Sequence, residues 1–423
     1  MKKLISVLMV IVIMGLMSCT QSVSAGVLKS DRPRVTSPQT SQADLATLTD
    51  GNSDFAFELY QVLRNTDGNL FYSPYSISLA LAMTYAGARG ETREQMASTL
   101  RFSLAQDNLH PAFNSLDIEL ASRGEGAQGK DEEGFRLNIV NAIWGQKDYI
   151  FLPQYLDVLA QNYGAGMRIV DFMNETERSR VTINDWVSEQ TENRIKDLIP
   201  PGVVDRQTRL VLTNAIYFNA AWQYPFTEAA TVNGQFYLLN GSDITVPMMQ
   251  QTEAFPYIET TDYQAVELPY GGQELSMLII IPRSGQFLPF EEQLDANLID
   301  GIIMEMRTQE IILSMPKFEF ESKTGLKDAL SQLGMGVAFT EDADFSGMNG
   351  NRDLSIQDVL HKAFVSVDEA GTEAAAATAV IVGVTSAPTE PRQVKIDRPF
   401  MFLIRDIPTN SILFVGRVLN PIM

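Results

Sequence analysis

The side chains that most often carry catalysis or bind metals are scarce in this chain of 423 residues. It contains two histidines, His110 and His361, and a single cysteine, Cys19. A serine–histidine–aspartate triad or a histidine-based metal site would depend on one of these two histidines. The single cysteine excludes internal disulfides and cysteine-rich zinc sites, and its place in an N-terminal leader excludes a catalytic thiol in the folded body. The sequence therefore disfavours a hydrolase and predicts neither a metal nor a cofactor.

Residues 369–391, EAGTEAAAATAVIVGVTSAPTEP, are the most unusual stretch of the chain, with four alanines in a row, then alternating valines and a Thr-Ser-Ala-Pro sequence. A capping threonine, a glutamate and four alanines favour a helix over 372–379. However, the segment follows a predicted strand directly and runs into Val380-Ile381-Val382, which prefers β-structure. In a strand one face would carry only small or apolar residues, with Glu373 on the other face. That face comprises Thr372, Ala374, Ala376, Thr378, Val380, Val382 and Val384. The segment is therefore either an exposed loop that tolerates helix or a strand buried on one side.

The elements that must position this segment suggest an α+β fold, because helical patterns dominate the first half of the chain and strands the second. We predict helices over 51–64, 75–88, 91–100, 153–163, 182–198, 290–306 and 325–333. We predict strands over 69–72, 137–144, 169–172, 210–218, 310–320 and 359–368, others between 234 and 281, and a terminal hairpin of 395–405 with 412–419. The helix over 75–88 is apolar almost all round and should lie at the centre.

The N-terminus has the pattern of an export signal. Two lysines precede an apolar run that ends at Met17, which is too short for a comfortable membrane span. The sequence Leu16-Met17-Ser18-Cys19 resembles a bacterial lipobox, in which the cysteine is lipidated after cleavage. We predict a lipoprotein signal peptide over 1–18, a flexible tether over 19–42 and a folded domain over 43–423, anchored to the cell envelope facing the periplasm or the cell surface. The alternative is a plain signal peptide with an incidental cysteine.

The charge balance limits the partners. Lys and Arg total 32 and Asp and Glu total 52, which gives a formal net charge of -20. Such a field repels polyanions, so we expect neither nucleic acid nor acidic polysaccharide as a partner. The region after Leu100 has no basic cluster, so a heparin site is not expected either.

Several motifs together resemble the serpins, the serine protease inhibitor superfamily. They are NLFYSPYS at 69–76, NAIYFNAAWQYPF at 214–226, the hinge-like EAGTEAAAAT at 369–378, DRPFMF at 397–402 and FVGRVLNP at 414–421. The resemblance covers about residues 43–423. It implies one domain with three β-sheets, eight or nine helices and an exposed reactive-centre loop, and it implies a monomer.

The resemblance also implies a mechanism of irreversible inhibition. A protease would attack the loop and form an acyl-enzyme, after which the freed hinge would insert into the main sheet. The hinge residues would be Glu369, Gly371, Thr372, Glu373, Ala374, Ala375, Ala376, Ala377 and Thr378. Counting from Glu369 places the reactive bond at Thr385-Ser386, or one residue earlier, at Val384. Such small specificity residues suit elastase-like or subtilisin-like serine proteases, with a cysteine protease as an alternative. The alternative function is that of a non-inhibitory binding or structural serpin.

The family resemblance also assigns a polar network that lets the main sheet open. Its members here would be Ser73, Ser76, Asn214 and His361. Buried polar groups must bond one another, so His361 is expected to be a satisfied core histidine and not a catalytic one. Trp222 matches the tryptophan at the top of the family's main sheet, and plain core packing is its alternative role.

Overall fold

The structure, a computed structural model, describes residues 26–124, 136–372 and 391–422. Ten α-helices lie in these ranges, eight of them with six residues or more. They are α1 Gln42–Leu63, α2 Pro74–Tyr85, α3 Gly90–Thr99, α4 Gln106–Ala121, α5 Pro153–Tyr163, α6 Thr176–Gln190, α7 Phe287–Glu292, α8 Ala296–Glu305, α9 Lys327–Leu330 and α10 Ser346–Asn349. Within the described ranges, no helix is both long and apolar enough to cross a bilayer.

Sixteen strands complete the described structure. They are β1 Gly26–Leu28, β2 Leu70–Tyr72, β3 Arg136–Gln146, β4 Met167–Val170, β5 Leu210–Ala221, β6 Val232–Tyr237, β7 Asp243–Glu259, β8 Tyr263–Pro269, β9 Leu275–Pro282, β10 Arg307–Pro316, β11 Phe318–Gly325, β12 Val359–Val367, β13 Gly371–Thr372, β14 Arg392–Lys395, β15 Phe400–Asp406 and β16 Ile412–Val418. The mixture of helices and sheets confirms the predicted α+β fold.

The strands form two hydrogen-bonded sheets. The main sheet has seven strands in the order β1-β4-β3-β5-β13-β12-β11. The second has nine, with the path β14-β10-β7-β8-β9-β15-β16-β2 and β6 added beside β7. The long strand β7 pairs with β10 as far as Tyr257 and with β8 from Tyr257 onwards. Dividing the nine-stranded sheet at this strand gives the three sheets that the serpin resemblance implies.

Helix α2 lies against the inner face of the main sheet. Ser73 caps it, Pro74 occupies its first turn, and all twelve of its residues are buried. This confirms the prediction of a central helix over 75–88. On the opposite face of the sheet, α6 packs through Trp186 against Trp144 of β3, with their ring centroids 5.4 Å apart. The main sheet is therefore covered on both sides.

Three predicted elements end earlier or divide. The helix expected over 182–198 stops at Gln190, because Glu192 and Asn193 adopt left-handed backbone with positive φ. The region 290–306 forms two helices, since Asp295 caps a new one. The strand expected over 310–320 divides after Pro316, and its halves join different sheets. Helix α4 was not predicted at all.

The N-terminal segment differs from the expected tether over 19–42. Residues 1–25 lie outside the described residues, but from Gly26 onwards the segment is bonded to the domain. Strand β1 pairs antiparallel with β4 and becomes the edge of the main sheet. The two long ends of the sheet are named here for use below: the upper end lies at Ala221 of β5, and the basal end at Leu210 of β5 and Gln146 of β3.

Candidate functional site: the gap between two central strands

The site lies between β5 and β12, the two parallel strands at the middle of the main sheet. In their basal halves they pair directly, from Leu212 opposite Val359 to Ile216 opposite Ala363. At the upper end β13 enters between them, with Thr372 opposite both Ala220 of β5 and Val367 of β12. The same two strands are therefore joined at the base and separated at the top.

A row of three polar side chains crosses the joined half. Asn141 of β3 lies opposite Asn214 of β5, and Asn214 lies opposite His361 of β12. The Asn214 amide donates to the Oδ1 atom of Asn141, and Nδ1 of His361 bonds the Oδ1 atom of Asn214. The row links three adjacent strands through side chains as well as through backbone.

The N-terminal residues of helix α2 and its cap complete this network from the inner face of the sheet. The backbone N–H of Ser73 donates to Nε2 of His361 at 3.2 Å, so the neutral ring carries its proton on Nδ1. Asn214 donates to the Ser76 hydroxyl at 2.5 Å, and Asn141 donates to the Ser76 carbonyl at 3.2 Å. Ser73, Ser76, Asn214 and His361 therefore meet in one place, together with Asn141, which the sequence analysis missed.

Burial keeps His361 neutral. Its side chain is fully buried, and desolvation lowers its pKa to about 3. With Nε2 accepting and Nδ1 bonded to Asn214, the ring satisfies both nitrogens without a charge. The arrangement fits a structural polar row, because both ring nitrogens are already engaged.

The first hinge residues are already part of the sheet. Gly371 pairs with Ala221 and Thr372 with Ala220. A Cβ atom at Gly371 would overlap the carbonyl oxygen of Ala220, so only glycine fits so close to β5. Thr372 is buried, with its hydroxyl 2.8 Å from the Tyr270 hydroxyl. Of the face predicted to turn inward, Thr372 is the one residue in the described ranges, and it does turn inward.

An aromatic pair supports this entry point. Trp222 stacks on Tyr270 with ring centroids 4.6 Å apart and planes 9° from parallel. The indole N–H of Trp222 donates to the Asp368 carbonyl, and its backbone N–H donates to the Ala370 carbonyl, each at 3.0 Å. Trp222 therefore holds the turn from which the hinge enters the sheet, while Tyr270 bonds the first inserted side chain.

Glu369 anchors the other side of that turn. Its carboxylate lies 2.7 Å from the Lys317 ammonium and accepts from the Thr231 hydroxyl at 2.6 Å. Burial opposes ionisation of Glu369, but the bonds from Lys317 and Thr231 outweigh burial and lower its pKa below the ordinary value. The carboxylate is therefore charged at neutral pH, and it connects the hinge to Lys317, the residue between β10 and β11.

Some predicted residues lie outside the described ranges and are not placed. They are Cys19, Glu373, Ala374, Ala375, Ala376, Ala377, Thr378, Val384, Thr385 and Ser386. The contributions of Asn141, Tyr270 and Lys317 were missed by sequence reasoning. Asn141 had a usable signal, since it is one of two amides in the otherwise apolar strand LNIVNAIW and stands in the same Asn-Ala-Ile context as Asn214 in LVLTNAIYF. Tyr270 and Lys317 carry no such signal, because their role depends on contacts remote in sequence.

Comparisons with known proteins agree with this architecture. A family model described as serpin (serine protease inhibitor) matches residues 50–421. An uncharacterised serpin-like protein of Thermococcus kodakarensis is 43% identical over 372 residues, covering 87% of this chain and 84% of the relative. The human leukocyte elastase inhibitor is 39% identical over 386 residues, covering 88% and 99%. The native structure of a thermophilic serpin, tengpin, superposes with a TM-score of 0.82 at 29% identity, covering 94% of this chain and all of that one.

Proposed function

The chain belongs to the serpin family, and from that premise we propose that it is an irreversible suicide-substrate inhibitor of extracellular serine proteases. The proposed targets have elastase-like or subtilisin-like specificity. The proposal is supported by the pre-inserted hinge, since Gly371 and Thr372 occupy the upper gap between β5 and β12.

The proposed covalent step is ordinary acyl transfer that is not completed. The protease serine oxygen attacks the carbonyl carbon of Thr385, the bond to Ser386 breaks, and its nitrogen leaves as a protonated amine. Hydrolysis of the resulting ester by water would release the protease. In the proposed trap, the loop upstream of Thr385 inserts into the main sheet before water acts and carries the acylated protease with it.

Insertion has a physical driving force in this sequence. About fifteen residues from Gly371 to Thr385, at ~3.3 Å each, form a strand of roughly 50 Å. Burying the small inward side chains from Thr372 to Val382 contributes roughly 7 kcal/mol, and each ladder hydrogen bond adds about 1 kcal/mol. Large or charged inward residues would stall insertion, and the sequence has none there.

The same composition argues against the alternative of a non-inhibitory binding or structural serpin. A hinge that never inserts has no need for a run of alanines or for a glycine against the Ala220 carbonyl. Small specificity residues at 384–385 favour proteases with shallow pockets. The elastase-inhibitor name of one relative agrees with this proposed specificity.

The proposal is tested by incubating the protein with pancreatic elastase and, separately, with subtilisin, followed by a denaturing gel. We expect a covalent complex stable to boiling, and mass spectrometry of the released C-terminal fragment to give Ser386 as its first residue. Cleavage with neither a complex nor a large rise in thermal stability would contradict the inhibitor and leave a plain substrate. Papain serves as the test of the cysteine-protease alternative.

We also propose that the protein is exported and anchored through acyl chains on Cys19. The apolar leader and the placement of the one cysteine support this. Mass spectrometry of the N-terminal peptide should give an acylated cysteine, and Cys19→Ser should release the protein from the membrane fraction. An unmodified Cys19 in the mature protein would refute the anchor while leaving the inhibitor proposal intact.

A further inference from the structure

The register of β1 fixes where the N-terminus leaves the domain. Gly26 pairs with Ile169 and Leu28 with Met167, so the chain upstream of Gly26 points along β4 towards Val170. Strand β4 runs parallel to β3, with Val170 beside Gln146. The segment before Gly26 therefore emerges at the basal end of the main sheet.

Side-chain bonds hold this exit point in place. Ser30 and Arg32 both bond the Asp157 carboxylate of α5, the latter at 3.0 Å. Further on, Arg34 bonds Asn114 at 2.8 Å and Asp117 at 2.5 Å on α4. The backbone adds a bond from the Val35 N–H to the Gln161 carbonyl at 2.9 Å. The segment from Gly26 to Val35 is thus built into the domain and does not act as a spacer.

Only residues 20–25 separate Cys19 from this fixed point. The seven steps from Cys19 to Gly26, at ~3.5 Å each, span no more than about 25 Å, even fully extended. An acylated Cys19 sits at the bilayer surface. The basal end of the sheet must then lie close to that surface, whereas a tether reaching to residue 42 would have left the domain free to turn.

The surface at this end suits contact with lipid. Ile150, four residues beyond the end of β3, is the most exposed large apolar side chain in the described ranges at 84%. Met173, three residues beyond the end of β4, is 40% exposed. Arg206 is exposed beside it and donates to the Met173 carbonyl at 3.0 Å. Lys147 is exposed on the turn that carries Ile150. We name Lys147, Ile150, Met173 and Arg206 the basal patch.

The acidic side chains around the basal patch are partly engaged by the protein itself. Asp171 accepts from Gln146 and Asn174, Asp205 accepts from the N–H groups of Gln207 and Thr208, and Glu175 pairs with Arg178. Asp148 faces solvent on the same turn as Lys147. Acidic and basic groups are thus mixed at this end of a chain whose net charge is -20, which limits repulsion from an anionic bilayer.

We propose that the basal patch rests on the bilayer that holds the acyl chains of Cys19, so that the reactive loop faces away from the membrane. The hinge at Thr372 enters at the other end of β5, whose twelve residues span roughly 36 Å. Incoming proteases would meet the loop unobstructed by lipid. This orientation rests on the proposed lipid anchor and is independent of the proposed inhibition.

The test uses the full lipidated chain, in which acylation leaves no free thiol, so one introduced cysteine takes a fluorescent label selectively. Gln207→Cys labels the basal end, and Ala229→Cys labels the upper end, eight residues beyond β5. Each protein is reconstituted in phosphatidylcholine–phosphatidylglycerol vesicles that contain an acceptor-labelled lipid, and energy transfer is measured. We expect at least twofold more transfer from the basal label.

Equal transfer from the two labels, or more from the upper one, would overturn the orientation. Mass spectrometry of the same samples establishes acylation separately, and an unacylated Cys19 overturns the orientation together with the anchor.

A variant tests the lipid contact itself: Ile150→Asp should at least halve the difference in energy transfer between the two labels. Met304→Asp, an equally drastic change at a 74% exposed residue of α8, should not alter it. An unchanged difference in Ile150→Asp would refute the contact of the basal patch with lipid. Complex formation with elastase, assayed in parallel, reports on inhibition alone.

Discussion

The two halves of the gap between β5 and β12 are built by opposite principles. At the upper end the strands are already apart, and the space is filled by two hinge residues and lined by Trp222 and Tyr270. At the base the strands pair directly and are linked by the row of Asn141, Asn214 and His361, which we call the basal row. For the proposed insertion, the upper half is already separated, whereas the basal half would have to separate before the strand could enter.

A second layer reinforces the basal half. The segment after α6 crosses over the sheet, and its carbonyl groups accept from two lysines. Lys362 of β12 donates to the Lys196 carbonyl at 2.5 Å, and Lys323 of β11 donates to the Asp197 carbonyl at 2.9 Å. In the proposed mechanism the sheet would therefore open from the upper end towards the basal end, and the polar bonds at the basal end would resist the opening.

The largest expected effect comes from a substitution in the upper half of the gap. Thr372→Arg places a long charged side chain where the hydroxyl meets Tyr270, in a position that is buried. We expect the loop to be cleaved without trapping, with the number of inhibitor molecules consumed per protease rising at least tenfold. Titration of elastase activity measures this number.

Glu373→Arg is the matched control, because alternation places residue 373 on the outward face of the inserted strand. It should retain complex formation. Undiminished inhibition by Thr372→Arg would refute the insertion argument, and equal loss in both variants would show that charge, and not the inward position, is responsible.

The next effect removes the centre of the basal row. Asn214→Ala leaves Ser76, Asn141 and His361 each without one partner, which should lower the free energy of unfolding by about 3 kcal/mol. Equilibrium unfolding in urea, followed by circular dichroism, measures the change. Asn233→Ala on the exposed strand β6 is the control and should change it by under 0.5 kcal/mol. A loss below 1 kcal/mol in Asn214→Ala would mean that the row does not hold the strands.

Mild acid should distinguish the two halves. His361 has a folded pKa of about 3 against about 6.5 unfolded. Its contribution is therefore complete above pH 6.5 and declines by about 1.4 kcal/mol per unit as pH falls towards 3. Glu369 has a lowered pKa, so its contribution is complete above about pH 4.5 and declines only below. Of the two halves of the gap, only the basal half should therefore weaken between pH 6.5 and 4.5.

Urea unfolding at pH 7 and pH 5 tests this difference. His110, whose pKa burial lowers to about 4, adds a similar decline and is removed as background with His110→Gln. In that background, His361→Gln should abolish about 2 kcal/mol of the loss between the two pH values, whereas Glu369→Gln should leave the loss unchanged. The reverse result would assign the acid response to the hinge.

The smallest expected effect comes from removing one hydrogen bond of the upper half, that between the Tyr270 and Thr372 hydroxyls. Tyr270→Phe removes the bond to the Thr372 hydroxyl but retains stacking on Trp222, so about 1 kcal/mol should be lost. Thr372→Val removes the other partner, and the double variant should lose no more than either single one. Additive losses would contradict a direct bond between the two hydroxyls.

The sequence was sufficient for the fold class, the buried helix α2, two members of the row (Asn214 and His361) and the two serines that bond them (Ser73 and Ser76), because apolar patterning and family motifs are local signals. Asn141 escaped notice although it is an amide in an apolar strand, because its significance depends on register with Asn214 and His361. Strand register is a tertiary property, set by pairing between segments far apart in the chain.

Two other differences have the same origin. Residues 26–35 are polar enough to read as a tether, yet specific bonds to α4 and α5 fix them, and composition cannot anticipate such bonds. The alanine-rich segment has helical propensity, but Gly371 and Thr372 at its start form strand pairs because the gap between β5 and β12 supplies partners. Tertiary context overrides local preference at both places.

The pre-inserted hinge has a kinetic consequence. Adding a strand to a sheet resembles nucleated growth. Forming the first residue pair carries most of the entropic cost of bringing the two segments together, and each later pair costs little more entropy. Here Thr372 has already made that first pair and fixed the register. In the proposed mechanism, the cleaved loop would therefore extend from an existing strand pair and would not need to find its register. Whether the proposed trap forms before water hydrolyses the acyl bond would then depend on how fast the bonds among Asn141, Asn214 and His361 break ahead of the inserting strand.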